Sequence, residues 1–166
     1  MQNLDKRDKY ENIGWEYVQR LFDEIDEHYK NTTIDNMTKS DDPCTTYDMT
    51  ATINGKVHYI ENKSRSKKYT YEQLKDKGFY LRARKNNGQN TLFTYVFPTE
   101  QIVMLTRPEQ LEGLEPEPTK VNHKFSVDED SEEDIQYNYN VPLNKWWVYQ
   151  IEPFKVISTP NNVKTK

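Results

Sequence analysis

Asp48, Glu61 and Lys63 are the residues of this 166-residue chain best placed to do chemistry. They lie at the outer ends of YDMTATINGKVHYIENKS, Tyr47 to Ser64, two runs of alternating apolar and polar residues around Asn54-Gly55. Asn-Gly is the preferred pair for a two-residue type I′ hairpin turn. With that turn the register follows by counting outward: Ile53 faces Lys56, Thr52 faces Val57, Ala51 faces His58, Thr50 faces Tyr59, Met49 faces Ile60, and Asp48 faces Glu61. Asp48 and Glu61 are then opposed with Cβ atoms roughly 4.5–5.5 Å apart, and Lys63, two residues on, projects to the same face. Opposed carboxylates repel unless a shared proton, a cation or a metal offsets them. Two carboxylates and a backbone carbonyl, completed by water, suit Mg²⁺. A neighbouring ammonium can orient an attacking water or stabilise charge developing on a phosphate. Solubilising charges at the open end of a half-exposed hairpin are the plainer account of the same three residues.

The elements that would position this hairpin are legible around it. Tyr10, Ile13, Tyr17, Leu21, Ile25 and Tyr29 recur at three- and four-residue steps, an amphipathic helix of about twenty residues ending near Asn31. A polar connector follows, NTTIDNMTKSDDPC, with room for a short strand at Thr33–Met37. After the hairpin, Tyr71, Leu74, Phe79 and Leu81 suggest a helix over Tyr69–Arg84, which Gly78 weakens. LFTYVF and QIVMLT read as two strands joined by Pro-Thr-Glu, and NKWWVYQIEPFKVI as a last strand or docking segment. The order helix, strands, helix, strands implies a mixed α/β or α+β domain. Residues 1–107 form its core, 108–140 an acidic surface loop or insertion, and 141–166 a closing segment of the same domain.

Composition bounds the function. Hydrophobic residues are 34% and charged residues 30%, while aromatics at 13% argue against global disorder. No run of 18 apolar residues is present, and MQNLDKRDKYENIG lacks an apolar signal-peptide core. One cysteine, Cys44, cannot close an intramolecular disulfide and fits a reducing cytoplasm. His28, His58 and His123 lack metal-ligand spacing, which argues against zinc. The net charge of −4 conceals a segregation. Lys63 to Lys85 holds nine Lys or Arg against two acids, a local +7, and Pro108 to Asn140 holds ten acids against two Lys, a local −8. An anionic partner feels the local field rather than the mean.

Asp48, a spacer of twelve, then Glu61-Asn62-Lys63 resembles the PD-(D/E)xK nuclease superfamily of restriction endonucleases, junction resolvases and phage exonucleases. The similarity spans roughly Asn12 to Thr106. It implies a restriction-endonuclease-like core, a mixed central sheet flanked by helices, with Asp48 opening the second core strand and Glu61 and Lys63 on the third. It implies Mg²⁺ or Mn²⁺ held by Asp48, Glu61 and the Asn62 backbone carbonyl, with Lys63 activating water. Glu16 is the acid that such nucleases often add from the first helix, with Glu11 the weaker choice. Tyr47 stands where the family often has proline, and Asn62 where an apolar residue is commoner. Downstream, Arg65, Lys67 and Lys68 would hold phosphates without reading sequence, with Gln73 and Lys75 on the following helix as further contacts to DNA.

The function so implied is a metal-dependent deoxyribonuclease, expected as an endonuclease, in a bacterial or phage-infected cytoplasm. The alternative is a catalytically inactive nuclease fold that binds DNA or protein. A homodimer, and a basic partner for the acidic segment, stay open. Trp146, Trp147 and Tyr149 suit core packing or an interface better than base stacking, given Val148 and Ile151 beside them.

Overall fold

The computed structural model describes residues 2–39, 47–64, 70–83, 90–120 and 135–160, and within α1 its side chains from Asn12 onward. Helix α1 (Gln2–His28) is followed by β1 (Ile34–Lys39), β2 (Met49–Ile53), β3 (Lys56–Ser64), a one-turn helix α2 (Tyr71–Leu74), β4 (Phe79–Arg82), β5 (Thr91–Phe97), β6 (Ile102–Thr106), β7 (Glu117–Lys120), β8 (Ile135–Val141), β9 (Trp147–Gln150) and β10 (Lys155–Ser158). The class is α+β. Seven strands form one mixed sheet in the order β1-β2-β3-β5-β6-β9-β10, and β4-β8-β7 form a second. In the large sheet β3 and β5 run parallel, in register from Tyr59–Thr91 to Ser64–Val96, while its other pairs are antiparallel.

Alternation along the strands builds two cores. On one face Met49, Ala51, Ile60, Leu92, Val96, Val103 and Tyr149 are buried against Val18, Leu21 and Phe22 of α1. On the other, Phe93, Tyr95, Phe97 and Met104 pack with Phe79, Leu81, Val141, Tyr71 and the fully buried Trp146. Side chains of this size contribute about 1.5–3 kcal/mol each on burial. Every residue of β5 is buried because both layers meet on it. Its aromatic face is organised edge-to-face, with Phe79 5.7 Å from both Tyr95 and Trp146. The three aromatics 146, 147 and 149 thus serve packing: Trp146 and Tyr149 are buried, and the Trp147 ring lies under the Arg107 guanidinium at 4.8 Å. Burial pushes the Tyr149 hydroxyl far above the usual tyrosine range, with Tyr29 a secondary cause.

Three expectations change. The helix expected over Tyr69–Arg84 is one turn, Tyr71–Leu74, followed by strand β4. Gly78 makes the break: it sits at φ +94 and donates its N–H to the Leu74 carbonyl at 2.9 Å. Beyond it Phe79 and Leu81 face the core with the period of two of a strand. The large sheet is therefore flanked by a helix on one face and by the small sheet with α2 on the other, not by helices on both. The acidic stretch 108–140 is more than a surface loop, since its ends supply a 3₁₀ turn at Pro108–Leu111 and strands β7 and β8, which extend β4. The DEDSEED run itself, and Cys44, lie outside the described residues. No helix among the described residues is long and apolar enough to cross a membrane.

Gly78 is sharply constrained, because a Cβ there would collide with the Asn140 side chain as well as forcing a left-handed backbone. Gly78→Ala is expected to cost at least about 1–2 kcal/mol from backbone strain alone, measured by denaturant unfolding. Unchanged stability would mean that Gly78 does not set the α2–β4 break.

Candidate functional site

The hairpin forms in the register that Asn54-Gly55 dictates. Asn54 and Gly55 both have positive φ, 51° and 82°, as a type I′ turn requires. The ladder pairs Ile53 with Lys56, Thr52 with Val57, Ala51 with His58, Thr50 with Tyr59 and Met49 with Ile60. The turn is further tied to the start of β1: the Asn54 side-chain oxygen accepts from the Thr33 N–H at 2.8 Å, and the Asn54 N–H donates to the Thr33 carbonyl at 2.8 Å.

At the open end the pairing departs from simple counting. The Asp48 N–H donates to the Ile60 carbonyl at 2.9 Å, so Asp48 and Met49 both address Ile60, two residues against one as in a β-bulge. Asp48 is thus not the regular cross-strand partner of Glu61. Its carboxylate instead reaches to β3, where Oδ2 accepts from the Asn62 N–H at 2.8 Å. A charged acceptor makes this a stronger bond than a ladder bond between neutral groups. The contact ties Asp48 to the backbone of the residue between Glu61 and Lys63.

Strand alternation then sorts β3. Ile60 faces the α1 core, so Asn62 and Ser64 do too, while Glu61 and Lys63 face the opposite side beside Phe93 and Tyr95 of β5. Glu61 and Lys63 are half-buried, and Asp48 is exposed. The Oε1 of Glu61 is shut off from solvent. A residue's N–H and C=O leave a strand on the same side, so the Asn62 carbonyl points to the edge that β2 vacates beyond Met49. The candidate ligands, the Asp48 and Glu61 carboxylates and the Asn62 carbonyl, are all oxygen donors. That chemistry fits Mg²⁺ or Mn²⁺ rather than a soft metal.

The polar Asn62 on the core-facing side has a local explanation. Its Oδ1 accepts from Thr94 Oγ1 at 2.6 Å and its Nδ2 donates to Ser64 Oγ at 3.1 Å. Above this chain lies Gly14 of α1, where an added Cβ would collide with Ser64 Oγ and Asn62 Nδ2. A glycine lets the helix approach closely enough to cover three polar side chains that satisfy one another.

The other expected site residues that the structure describes lie elsewhere. Glu16 is exposed on α1, two residues from Gly14 and hence on the helix's outer side, and the sheet separates α1 from Glu61 and Lys63. It cannot be the extra acid of the site in this arrangement. The Glu11 side chain lies outside the described residues, as do Arg65, Lys67 and Lys68. Gln73 closes a capping box with Thr70, accepting from the Thr70 N–H at 3.1 Å and donating its own N–H to Thr70 Oγ1. Lys75 pairs with Glu72 at 2.7 Å, which holds its ammonium above the usual lysine range. Both side chains are engaged within their own turn. Among the described residues Glu24, Glu27 and His28 also gather near the end of α1. Their spacing is that of an exposed i,i+4 pair, with His28 Nδ1 3.4 Å from Glu24. Thr94 and Gly14 escaped sequence reasoning, because nothing local marks a threonine in a buried strand or one helical glycine.

Compared with protein-family models, curated proteins and solved structures, the chain finds no match.

Asp48→Ala removes the acceptor on the Asn62 amide. Hydrogen exchange at Asn62 is expected to accelerate, while an exposed carboxylate's loss moves global stability by no more than about 1 kcal/mol. An unchanged Asn62 exchange rate would place the Asp48 carboxylate elsewhere.

Proposed function

We propose that this chain is a metal-dependent nuclease hydrolysing DNA phosphodiester bonds, with a restriction-endonuclease-like core. One observation carries the reading: the Asp48 carboxylate lies 2.8 Å from the backbone N–H of Asn62, the residue that joins Glu61 to Lys63. In this reading the hairpin, whose Asp48 and Glu61 are separated by twelve residues, would supply two acids, a carbonyl and an ammonium to one site. That site lies where β3 continues into the basic stretch beginning at Lys63.

Asp48, Glu61 and the Asn62 carbonyl would hold the ion. Bound Mg²⁺ or Mn²⁺ would polarise a phosphoryl oxygen and make a coordinated water more acidic. Glu61, with one oxygen out of solvent, supplies fixed negative charge on a strand that cannot move independently of β5. Lys63, on the same face of β3 as Glu61, would orient a water in line with the scissile bond. As the water oxygen bonds to phosphorus and the P–O bond to the departing nucleotide breaks, the ammonium stabilises the added negative charge. The attacking water gives its proton to bulk solvent, the departing oxygen takes one up from solvent, and no covalent intermediate with the chain forms.

A second reading is a nuclease-like fold that binds DNA or protein without cutting. Two observations favour it: Asp48 is exposed and already bonded to a backbone amide, and Glu16 lies on the wrong side of the sheet.

Linear and closed-circular plasmid DNA incubated with Mg²⁺, Mn²⁺ or EDTA decides between them. Metal-dependent cutting is expected, lost by at least about 100-fold in Glu61→Ala and in Lys63→Ala with the near-UV circular dichroism unchanged, and kept in Glu16→Ala. Cutting of the closed circle marks endonuclease action. A wild type that is inert with both metals yet binds DNA would support the second reading, and full activity in Lys63→Ala would refute the assigned site.

A further inference from the structure

The face of β3 that carries Glu61 and Lys63 also carries Val57 and Tyr59, by strand alternation. On β5 and β6 the corresponding face is covered by the small sheet, but that cover stops short of this part of β3. Tyr59 is 39% exposed and Val57 47% exposed. The Tyr59 ring meets that of Tyr47, with centroids 4.9 Å apart and planes tilted by 48°. Tyr47 is the residue before Asp48, and Tyr59 lies two before Glu61. The two rings therefore form one surface whose members are each joined to a carboxylate of the site.

We propose that Tyr47 and Tyr59 form a stacking platform for a nucleobase of single-stranded DNA, holding the nucleotide next to the phosphate addressed by Glu61 and Lys63. The platform rests on the nuclease reading for its placement beside the reacting phosphate. Tyr59 stands about 6.6 Å from Glu61 along the strand, a span that one nucleotide bridges between base and phosphate. Most other aromatics of this layer are used in the core, while Tyr80 and Tyr137 are exposed on the small sheet. Tyr71, Phe79, Tyr95, Phe97 and Trp146 are all buried, so the half-buried Tyr47 and the exposed Tyr59 stand apart from that cluster.

Charge and geometry favour this occupant over a protein surface. The strand leads from the rings into the stretch with a local +7 beginning at Lys63, the field that a phosphate backbone seeks. A base inside a duplex has no free face, whereas an unstacked base can lie on an aromatic ring whatever its identity. The platform thus selects single strands, frayed ends or extruded bases without reading sequence.

The test uses a single-stranded oligonucleotide carrying 2-aminopurine, mixed with the full chain in EDTA so that no cutting occurs. Binding is expected to quench the fluorescence with wild type and with Tyr59→Phe. Tyr59→Thr keeps a strand-favouring residue but loses the ring. It is expected to bind roughly 5- to 150-fold more weakly, without quenching, while a fully paired duplex of the same sequence binds both proteins alike. Equal quenching and affinity in Tyr59→Thr, or no binding by wild type, would overturn the proposal. So would a wild-type dimer that Tyr59→Thr dissociates and that leaves the oligonucleotide fluorescence unchanged, since the face would then be a subunit interface. Quenching by a wild type that cuts no DNA with either metal would sustain the platform and refute only the hydrolytic reading. Cutting without quenching would do the reverse.

Discussion

The register of the β2–β3 hairpin is the constraint on which the rest depends. Positive φ at Asn54 and Gly55 closes the turn in two residues, and from there each pair outward to Met49–Ile60 has no freedom to slip. A slip of one residue would turn Ile60 out of the α1 core and Glu61 into it, exchanging an apolar contact for a buried charge. The turn therefore decides which face holds the core and which holds the acid. The parallel pairing of β3 with β5 then locks that choice to a strand buried at every residue.

The core-facing side of the same strand is held by polar contacts. Asn62 is polar where packing would favour an apolar side chain, yet it is bonded to Thr94 and Ser64 beneath Gly14. A chain of satisfied side chains fixes the end of β3 by directional bonds, where an apolar residue would fix it only by shape. The Asn62 backbone, in turn, donates to Asp48. One residue thus ties the helix side of the sheet to the acidic edge, which couples the orientation of that edge to the docking of α1.

Much of this was legible in the chain because it is local. The hairpin and its pairs follow from a two-residue turn and a period of two, and α1 from a period near 3.6. What failed was non-local or hung on one bond. Tyr71, Leu74, Phe79 and Leu81 fit helical spacing, but Phe79 and Leu81 equally fit a strand, and only Gly78 and the distant partner Val141 decide between them. The second sheet joins segments some sixty residues apart, which no local pattern displays. The departure of Asp48 from its expected pair rests on one backbone hydrogen bond to Ile60. For Glu16 the reason is simpler: helical spacing shows that it borders the apolar stripe, but not on which side of the sheet that stripe will lie.

The proposed chemistry requires a divalent cation at the outer end of the hairpin. Titrating the protein with Mn²⁺ while recording amide resonances tests this without requiring any substrate, since the paramagnetic ion broadens the signals nearest to it. The expected result is selective loss of the Asp48, Asn62 and Lys63 signals at low metal concentration, abolished by Glu61→Gln. Broadening confined to Glu24, Glu27 and His28, or none that Glu61→Gln alters, would contradict the account.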